Sequence, residues 1–214
     1  MAMAQLKNFS ATTVRRLPSY LPVIRDLQQE GKEFVSATVI AEVLELDPVQ
    51  VRKDLAMTGI AGTPQKGFPV EDIISAIEHY LGWNSTSDAI LVGVGNLGSA
   101  LLGYKGFLHH GLHIMAAFDV DSRKIGSRIH GIKILNAKTM DIQIKNLGVK
   151  IAILTVHAEY AQETANVLVS AGIEGIWNFT GVTLKVPENI AVQQEDLSAG
   201  YAMLRVKMKT AENS

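Results

Sequence analysis

The sequence contains no cysteine. That excludes a disulfide framework, a thiolate-held zinc or iron–sulfur centre and a cysteine nucleophile, and it fits a cytoplasmic protein. Charge is sparse and balanced: 19% of the 214 residues are charged, 20 Lys+Arg against 21 Asp+Glu. Long apolar runs are also missing. No stretch approaches the ~20 residues that a bilayer span needs, and residues 1–10 lack the charged-then-apolar pattern of a signal peptide. What the chain does have is 47% hydrophobic residues, which supports a packed core and argues against intrinsic disorder. The length allows one large domain or two small ones.

The first part reads as helices. Over residues 12–29, Val14, Leu17, Leu21, Ile24 and Leu27 recur every three or four positions, which predicts an amphipathic helix. Pro18 and Pro22 predict a kink or a late start in its first half. Ser36 caps a second helix carrying Val39, Ile40, Val43 and Leu44. Asp47-Pro48 pairs a cap with a first-turn proline and opens a third helix through Val51 and Leu55. Gly59, Gly62, Pro64, Gly67 and Pro69 then suit a hairpin-like loop. A fourth helix follows with Ile73, Ile74, Ile77 and Leu81 on one face. Residues 82–87 read as a linker.

After the linker, continuous apolar runs alternate with helical stretches. Residues 89–94, 113–118, 150–156 and 175–179 read as buried strands. Residues 97–107 and 158–171 read as helices, and residues 196–209 form a last helix with Leu197, Tyr201, Leu204 and Met208 on one side. Alternation of this kind predicts a doubly wound α/β domain.

Gly93-Val94-Gly95-Asn96-Leu97-Gly98 closes one of these strands and opens a helix. The first glycine permits the tight turn, the second lets a pyrophosphate approach the backbone, and the third lets the helix pack on the strand. The helix N-terminus offers free N–H groups to phosphates. Asp119 ends the next strand, where a carboxylate accepts from ribose hydroxyls. Its charge favours NAD(H) over NADP(H), and the nearby Arg123 and Lys124 oppose that preference. A glycine turn with a capping Asp is the plain alternative.

Two helices joined by a short turn, then a Gly/Pro-rich hairpin, suggest a winged helix-turn-helix. Its second helix would present Gln50, Arg52 and Lys53 to a major groove. Charge gives little support, since residues 1–84 hold 8 Lys+Arg and 10 Asp+Glu. A helical dimerisation or packing domain is the alternative.

The sequence resembles the Rex family of bacterial redox-sensing transcriptional repressors. The resemblance runs through Arg16-Leu17-Pro18, Tyr20-Leu21, Val49-Gln50-Val51-Arg52-Lys53-Asp54-Leu55, the glycine loop with Ser99-Ala100-Leu101, Phe118-Asp119, Ala171-Gly172-Ile173, Trp177-Asn178-Phe179, Val186-Pro187 and Asp196-Leu197. It implies a homodimer that binds operator DNA and releases it when NADH rises. Each subunit would have a winged-helix domain over residues 1–84 and a Rossmann NAD(H) domain over 85–195. A dimerisation helix over 196–214 would be exchanged between subunits. Carried over residue by residue, Gly93, Gly95, Asn96, Leu97 and Gly98 hold the pyrophosphate and Asp119 the adenine ribose. Tyr104 and Asp196 fall near the nicotinamide. Val156, Asn178 and Phe179, at strand ends, line the cofactor pocket. Gln50, Arg52 and Lys53 read DNA.

This chain departs from the family in the wing, where Thr63-Pro64-Gln65-Lys66-Gly67-Phe68 lacks the usual arginine and Lys66 is its cationic substitute. A usual proline is His157. His109, His110 and His113 read as surface histidines rather than a metal site. No metal and no catalytic residue is expected. The alternatives are an NAD-dependent dehydrogenase, with His157 as base, or a CoA- or nucleotide-binding module without DNA function.

Overall fold

The computed structural model describes residues 10–212. They divide into two compact units that part between Ser85 and Thr86.

In the first unit, helix α1 (Ala11–Gln29) begins where the Ser10 side chain accepts from the Thr13 N–H. Leu17, Tyr20, Leu21 and Ile24 form its buried face. The predicted late start is absent: Pro18 and Pro22 both lie inside one helix that already runs from Ala11. Each proline removes a single backbone donor, facing the carbonyls of Val14 and Pro18. The buried residues before, between and after them pack into the same core, which outweighs that loss.

A short strand β1 (Phe34–Val35) leads to α2 (Ala37–Val43) and α3 (Pro48–Met57), capped by Ser36 and Asp47 as expected. The Gly/Pro stretch is a tight hairpin in which Thr63 pairs with Gly67. Strand β2 (Phe68–Pro69) follows, pairs antiparallel with β1, and runs into α4 (Val70–Tyr80). Gly67 has φ +95°, and a Cβ there would lie 2.4 Å from the Val35 carbonyl oxygen. Only glycine closes this wing onto β1.

One buried carboxylate ties α1 to α3. Asp54 is fully buried and accepts from Arg16 Nε (2.7 Å), Arg16 Nη2 (2.8 Å), Tyr20 OH (2.6 Å), Thr13 Oγ1 (2.9 Å) and Gln50 Nε2 (3.0 Å). Burial alone would raise its pKa. The hydrogen bonds from Arg16, Tyr20, Thr13 and Gln50 outweigh burial and lower it from 3.8 to about 2. A lowered folded-state value stabilises the protein above pH 3.8, and that share is lost as pH falls through about 2. The shift corresponds to ~2 kcal/mol. Urea unfolding across pH 2–6 should therefore show a larger loss below pH 4 in the wild type than in Asp54→Asn, the difference being this share. Parallel pH profiles for the two proteins would contradict it.

The second unit is built on a seven-stranded sheet ordered β5-β6-β4-β3-β7-β8-β9. Its strands are β3 (Ser87–Val92), β4 (Leu112–Asp119), β5 (Arg128–Ile129), β6 (Ile132–Asn136), β7 (Ile151–Leu154), β8 (Gly175–Asn178) and β9 (Ala191–Gln194). All pair parallel except β5 with β6, which are antiparallel. Leaving out the β5 edge, the order is 3-2-1-4-5-6, the doubly wound Rossmann arrangement. The predicted helix over 97–107 is two helices, α5 (Asn96–Leu102) and α6 (Gly106–His109), parted at Gly103. A Cβ on Gly103 would meet the His130 ring at 2.8 Å. Helices α7 (Met140–Leu147) and α8 (Ala158–Ala171) follow β6 and β7.

Side chains alternate across the sheet. Ile90, Val92, Ala116 and Phe118 pack with the α7 and α8 residues Ile144, Ala161, Ala165 and Leu168. Leu91, Ala117 and Ile153 pack on the other face with Leu102, Phe107 and Trp177. The last helix, α9 (Leu197–Glu212), is different in kind: residues 196–211 are all exposed.

Candidate functional site

Strand order reverses between β3 and β7, and in open α/β sheets that crevice is where ligands bind. The glycine loop leaves β3 there. Gly93 adopts φ +96°, and a Cβ on it would meet the Thr155 carbonyl and the Val156 nitrogen at 2.8 Å. A Cβ on Gly98 would lie 2.1 Å from the Gly93 carbonyl oxygen and 2.9 Å from Thr155 Oγ1. Gly95, the cap of α5, has nothing within 4 Å of a would-be Cβ. Two glycines are thus required by the protein's own packing. The third faces open space, as close approach of a ligand to the backbone demands.

Thr155 completes the turn. Its Oγ1 lies 2.7 Å from the Gly93 carbonyl and 3.1 Å from that of Val92, so its hydroxyl donates onto the start of the loop. The loop opens on a cleft of about 660 Å³ lined by Gly93, Gly95, Asn96, Leu97, Asp119 and Val156. Gly98 lies beneath it, in the contact between α5 and the loop. Further lining residues were not singled out from the sequence: Val120 and Lys138 from the segments that follow β4 and β6, Met140 at the start of α7, and Tyr160, Thr164 and Val167 on α8. The α8 residues follow His157, the cap of that helix, at helical spacing. The stripe 157-160-164-167 was legible, but its sense depends on which strands the helix joins.

Asp119 is 8% exposed at the end of β4. Its Oδ2 accepts from the Val94 N–H (2.8 Å) and Lys124 Nζ (3.1 Å), and its Oδ1 from the Asp121 N–H (2.8 Å). Burial pushes the carboxyl up, but the bonds from Asp121, Lys124 and Val94 prevail and hold it below the usual carboxylate value. A carboxylate offers about four acceptor positions. Three are taken, and the one left, on Oδ1, suits a ribose hydroxyl. Arg123 is held away in a fork by Asp121, with Nε at 2.9 Å and Nη2 at 2.8 Å.

Four residues expected on the nicotinamide side, Tyr104, Asn178, Phe179 and Asp196, do not line this cleft. Tyr104 packs edge-on against Phe107, which meets Trp177, which in turn meets Phe179. Phe107, Trp177 and Phe179 pack on the α5–α6 face, opposite α7 and α8. Asn178 is fully buried with every polar atom used by the following loop and by β9: Nδ2 donates to the Val182 carbonyl and Gln194 Oε1, and Oδ1 accepts from the Thr180 N–H and hydroxyl. It shapes the loop and has no polar capacity left for a ligand. Asp196 is an exposed cap whose Oδ1 accepts from the Ser198 N–H (2.8 Å) and hydroxyl (2.6 Å).

In the first unit, α3 buries Val51, Asp54 and Leu55 and exposes Val49, Arg52, Lys53 and Ala56. Arg52 and Lys53 make no hydrogen bond or ion pair among the described residues. Gln50, expected beside them as a base reader, instead donates to Asp54. The signal was in the sequence, because Gln and Asp four residues apart on a helix are neighbours. Lys66 sits at the wing hairpin with its Nζ 5.2 Å from the Phe34 ring centroid, a cation–π contact. His113 pairs with Asp88, and no cluster of metal-ligating side chains occurs among the described residues. Nor is any described helix long and apolar enough to cross a membrane.

Comparison with known proteins agrees with this geometry. Residues 84–182 match the family model described as "CoA binding domain", and residues 8–56 match "Putative DNA-binding protein N-terminus". The redox-sensing transcriptional repressor Rex of Treponema denticola is 53% identical over 208 residues, 97% of this chain and 99% of that protein. Its counterpart in Bacteroides thetaiotaomicron is 41% identical over 90% of this chain and 87% of its own. Among solved structures, RSP, a Rex-family repressor, superposes with a TM-score of 0.87 in two forms. The form in complex with NAD+ and operator DNA is 30% identical over 95% of this chain and 94% of RSP. The form with NADH is 29% identical over 96% and 97%. A glycine loop at the switch point, a helix-turn-helix with free cations, and identity at this level over nearly the whole length lead to one conclusion: this chain belongs to the Rex family of redox-sensing transcriptional repressors.

Proposed function

We propose that the chain represses transcription by holding operator DNA as a homodimer and releasing it when NADH enters the cleft of the second unit. The observation that carries this reading is the Gly93–Gly98 loop, tight at both ends and open at Gly95, in a chain whose other unit presents unpaired Arg52 and Lys53. NAD(H) fits the residues present. The N–H groups from Gly95 to Gly98 would hold the diphosphate, the free acceptor position of Asp119 a ribose hydroxyl, and Val156 the cleft wall. A dinucleotide spans the crevice, so its other half reaches the face bearing Tyr104 and Phe179. When bound, the nicotinamide supplies the redox difference, being cationic when oxidised and neutral when reduced. Asn178 keeps the neighbouring loop in shape. The repressor acts in the cytoplasm, where both DNA and the dinucleotide pool are found. It is not an enzyme, so the His157 considered as a dehydrogenase base has no reaction to serve.

The dimer follows from α9. Leu197, Tyr201, Leu204 and Met208 make one apolar stripe and are 72%, 66%, 55% and 46% exposed. A helix of this length with no buried face is marginal in water. A second copy covers it, by exchange of α9, and the same exchange brings Asp196 to the partner's nicotinamide side. Rigid-body rotation of two such copies would misalign paired half-sites about one helical turn apart.

A mobility shift with a duplex selected by this chain tests the reading. Micromolar NADH should abolish the shift while NAD+ leaves it. NADPH should bind at least ~10-fold more weakly, because a 2′-phosphate meets the Asp119 carboxylate. A shift indifferent to NADH would overturn the reading, and equal NADH and NADPH dissociation constants would overturn the role of Asp119.

A further inference from the structure

We propose that Val49 reads a thymine methyl group in each operator half-site, beside the base read by Arg52. The inference rests on the DNA-binding reading above and adds what α3 selects. The outward face of α3 is Val49, Arg52, Lys53 and Ala56, spaced i, i+3, i+4 and i+7. Val49 is 50% exposed in the first turn, its N–H donating to the Asp47 carboxylate at 2.6 Å. Side chains from that end of a recognition helix are the ones that reach base edges.

The polar candidate in the same turn is withdrawn. Gln50 donates to Asp54, which Arg16, Tyr20 and Thr13 hold in place and which is fully buried. Freeing Gln50 would remove one donor from a buried carboxylate. The outward group of the first turn is therefore a branched apolar one. On a major-groove floor its favourable partner is the C5-methyl of thymine, whereas a purely polar base edge would be desolvated without a hydrogen bond. Val49 and Arg52 are separated by a rise of ~4.5 Å along the helix, close to the ~3.4 Å of one base-pair step. Thymine and the base read by Arg52 thus fall on neighbouring pairs.

The test uses the full chain without NADH and an operator selected by it from random duplexes. Each thymine is replaced in turn, in both half-sites, by deoxyuridine, which lacks only the methyl. At one position this should lower wild-type affinity ~10-fold, the loss of one apolar contact per half-site. V49A should lose a similar factor on the thymine operator and nothing further on the uracil one, while its NADH affinity stays at the wild-type value. Wild-type affinity insensitive to every replacement would overturn the proposal. So would V49A losing the same factor again on uracil. If the chain selected no duplex at all, the DNA-binding reading would fail first and this inference with it.

Discussion

A Gly98→Ala chain is expected to bind operator DNA normally and to keep it at NADH concentrations that release the wild type. The added methyl would sit 2.1 Å from the Gly93 carbonyl oxygen and 2.9 Å from Thr155 Oγ1. The first is backbone and cannot swing aside, so α5 must move off the end of β3. Overpacking of this kind costs ~1–3 kcal/mol. The clash falls on the loop whose N–H groups meet the diphosphate, so NADH affinity should drop ~100-fold. The first unit contains none of these residues, so DNA binding should survive. Calorimetry for NADH and a mobility shift for DNA separate the two. Normal NADH affinity in Gly98→Ala would show that the nucleotide does not rest on this turn. Gly95→Ala is the informative partner, because its Cβ meets no protein atom and only an incoming ligand would feel it.

Arg52→Ala is the mirror image. Arg52 stands exposed on α3 with no protein partner among the described residues, so removing it costs the fold little. A bidentate contact to a base is worth ~1–3 kcal/mol, and a dimer makes it twice, so operator affinity should fall ~100-fold or more. NADH affinity should be unchanged. Arg52→Lys should recover the salt-dependent, sequence-independent part of binding but not the preference for operator. Equal operator affinity in wild type and Arg52→Ala would remove α3 as the reading element.

The parts of this structure that were legible in the sequence are those whose cause is local. Gly93 and Gly98 are glycines because their own backbones and the adjacent strand leave no room, and Ser36 and Asp47 mark helix starts through bonds made two or three residues away. What was not legible comes from distant partners. Pro18 and Pro22 sit within an unbroken α1 because Leu17, Tyr20, Leu21 and Ile24 find Ile40, Leu55 and Ile73 across the core. Asp54 draws Arg16, Tyr20 and Thr13 from 34 to 41 residues away, and through it Gln50 is turned from the groove. Strands β5 and β9 are short edge elements without the continuous apolar run of a central strand. For Tyr104, Asn178 and Asp196, residue type alone did not reveal that the first joins an aromatic row, the second is consumed by the following loop and β9 and the third caps α9.

The central claim is that occupancy of the cleft and occupancy of the operator are coupled. Coupling of this kind is reciprocal: if NADH weakens DNA binding by some factor, DNA must weaken NADH binding by the same factor, of order 5- to 150-fold. The direct measurement is the NADH dissociation constant of the wild-type dimer by calorimetry, alone and with saturating operator duplex. The account predicts a weaker constant on DNA by the factor seen in the mobility shift. The same constant in both conditions would contradict it.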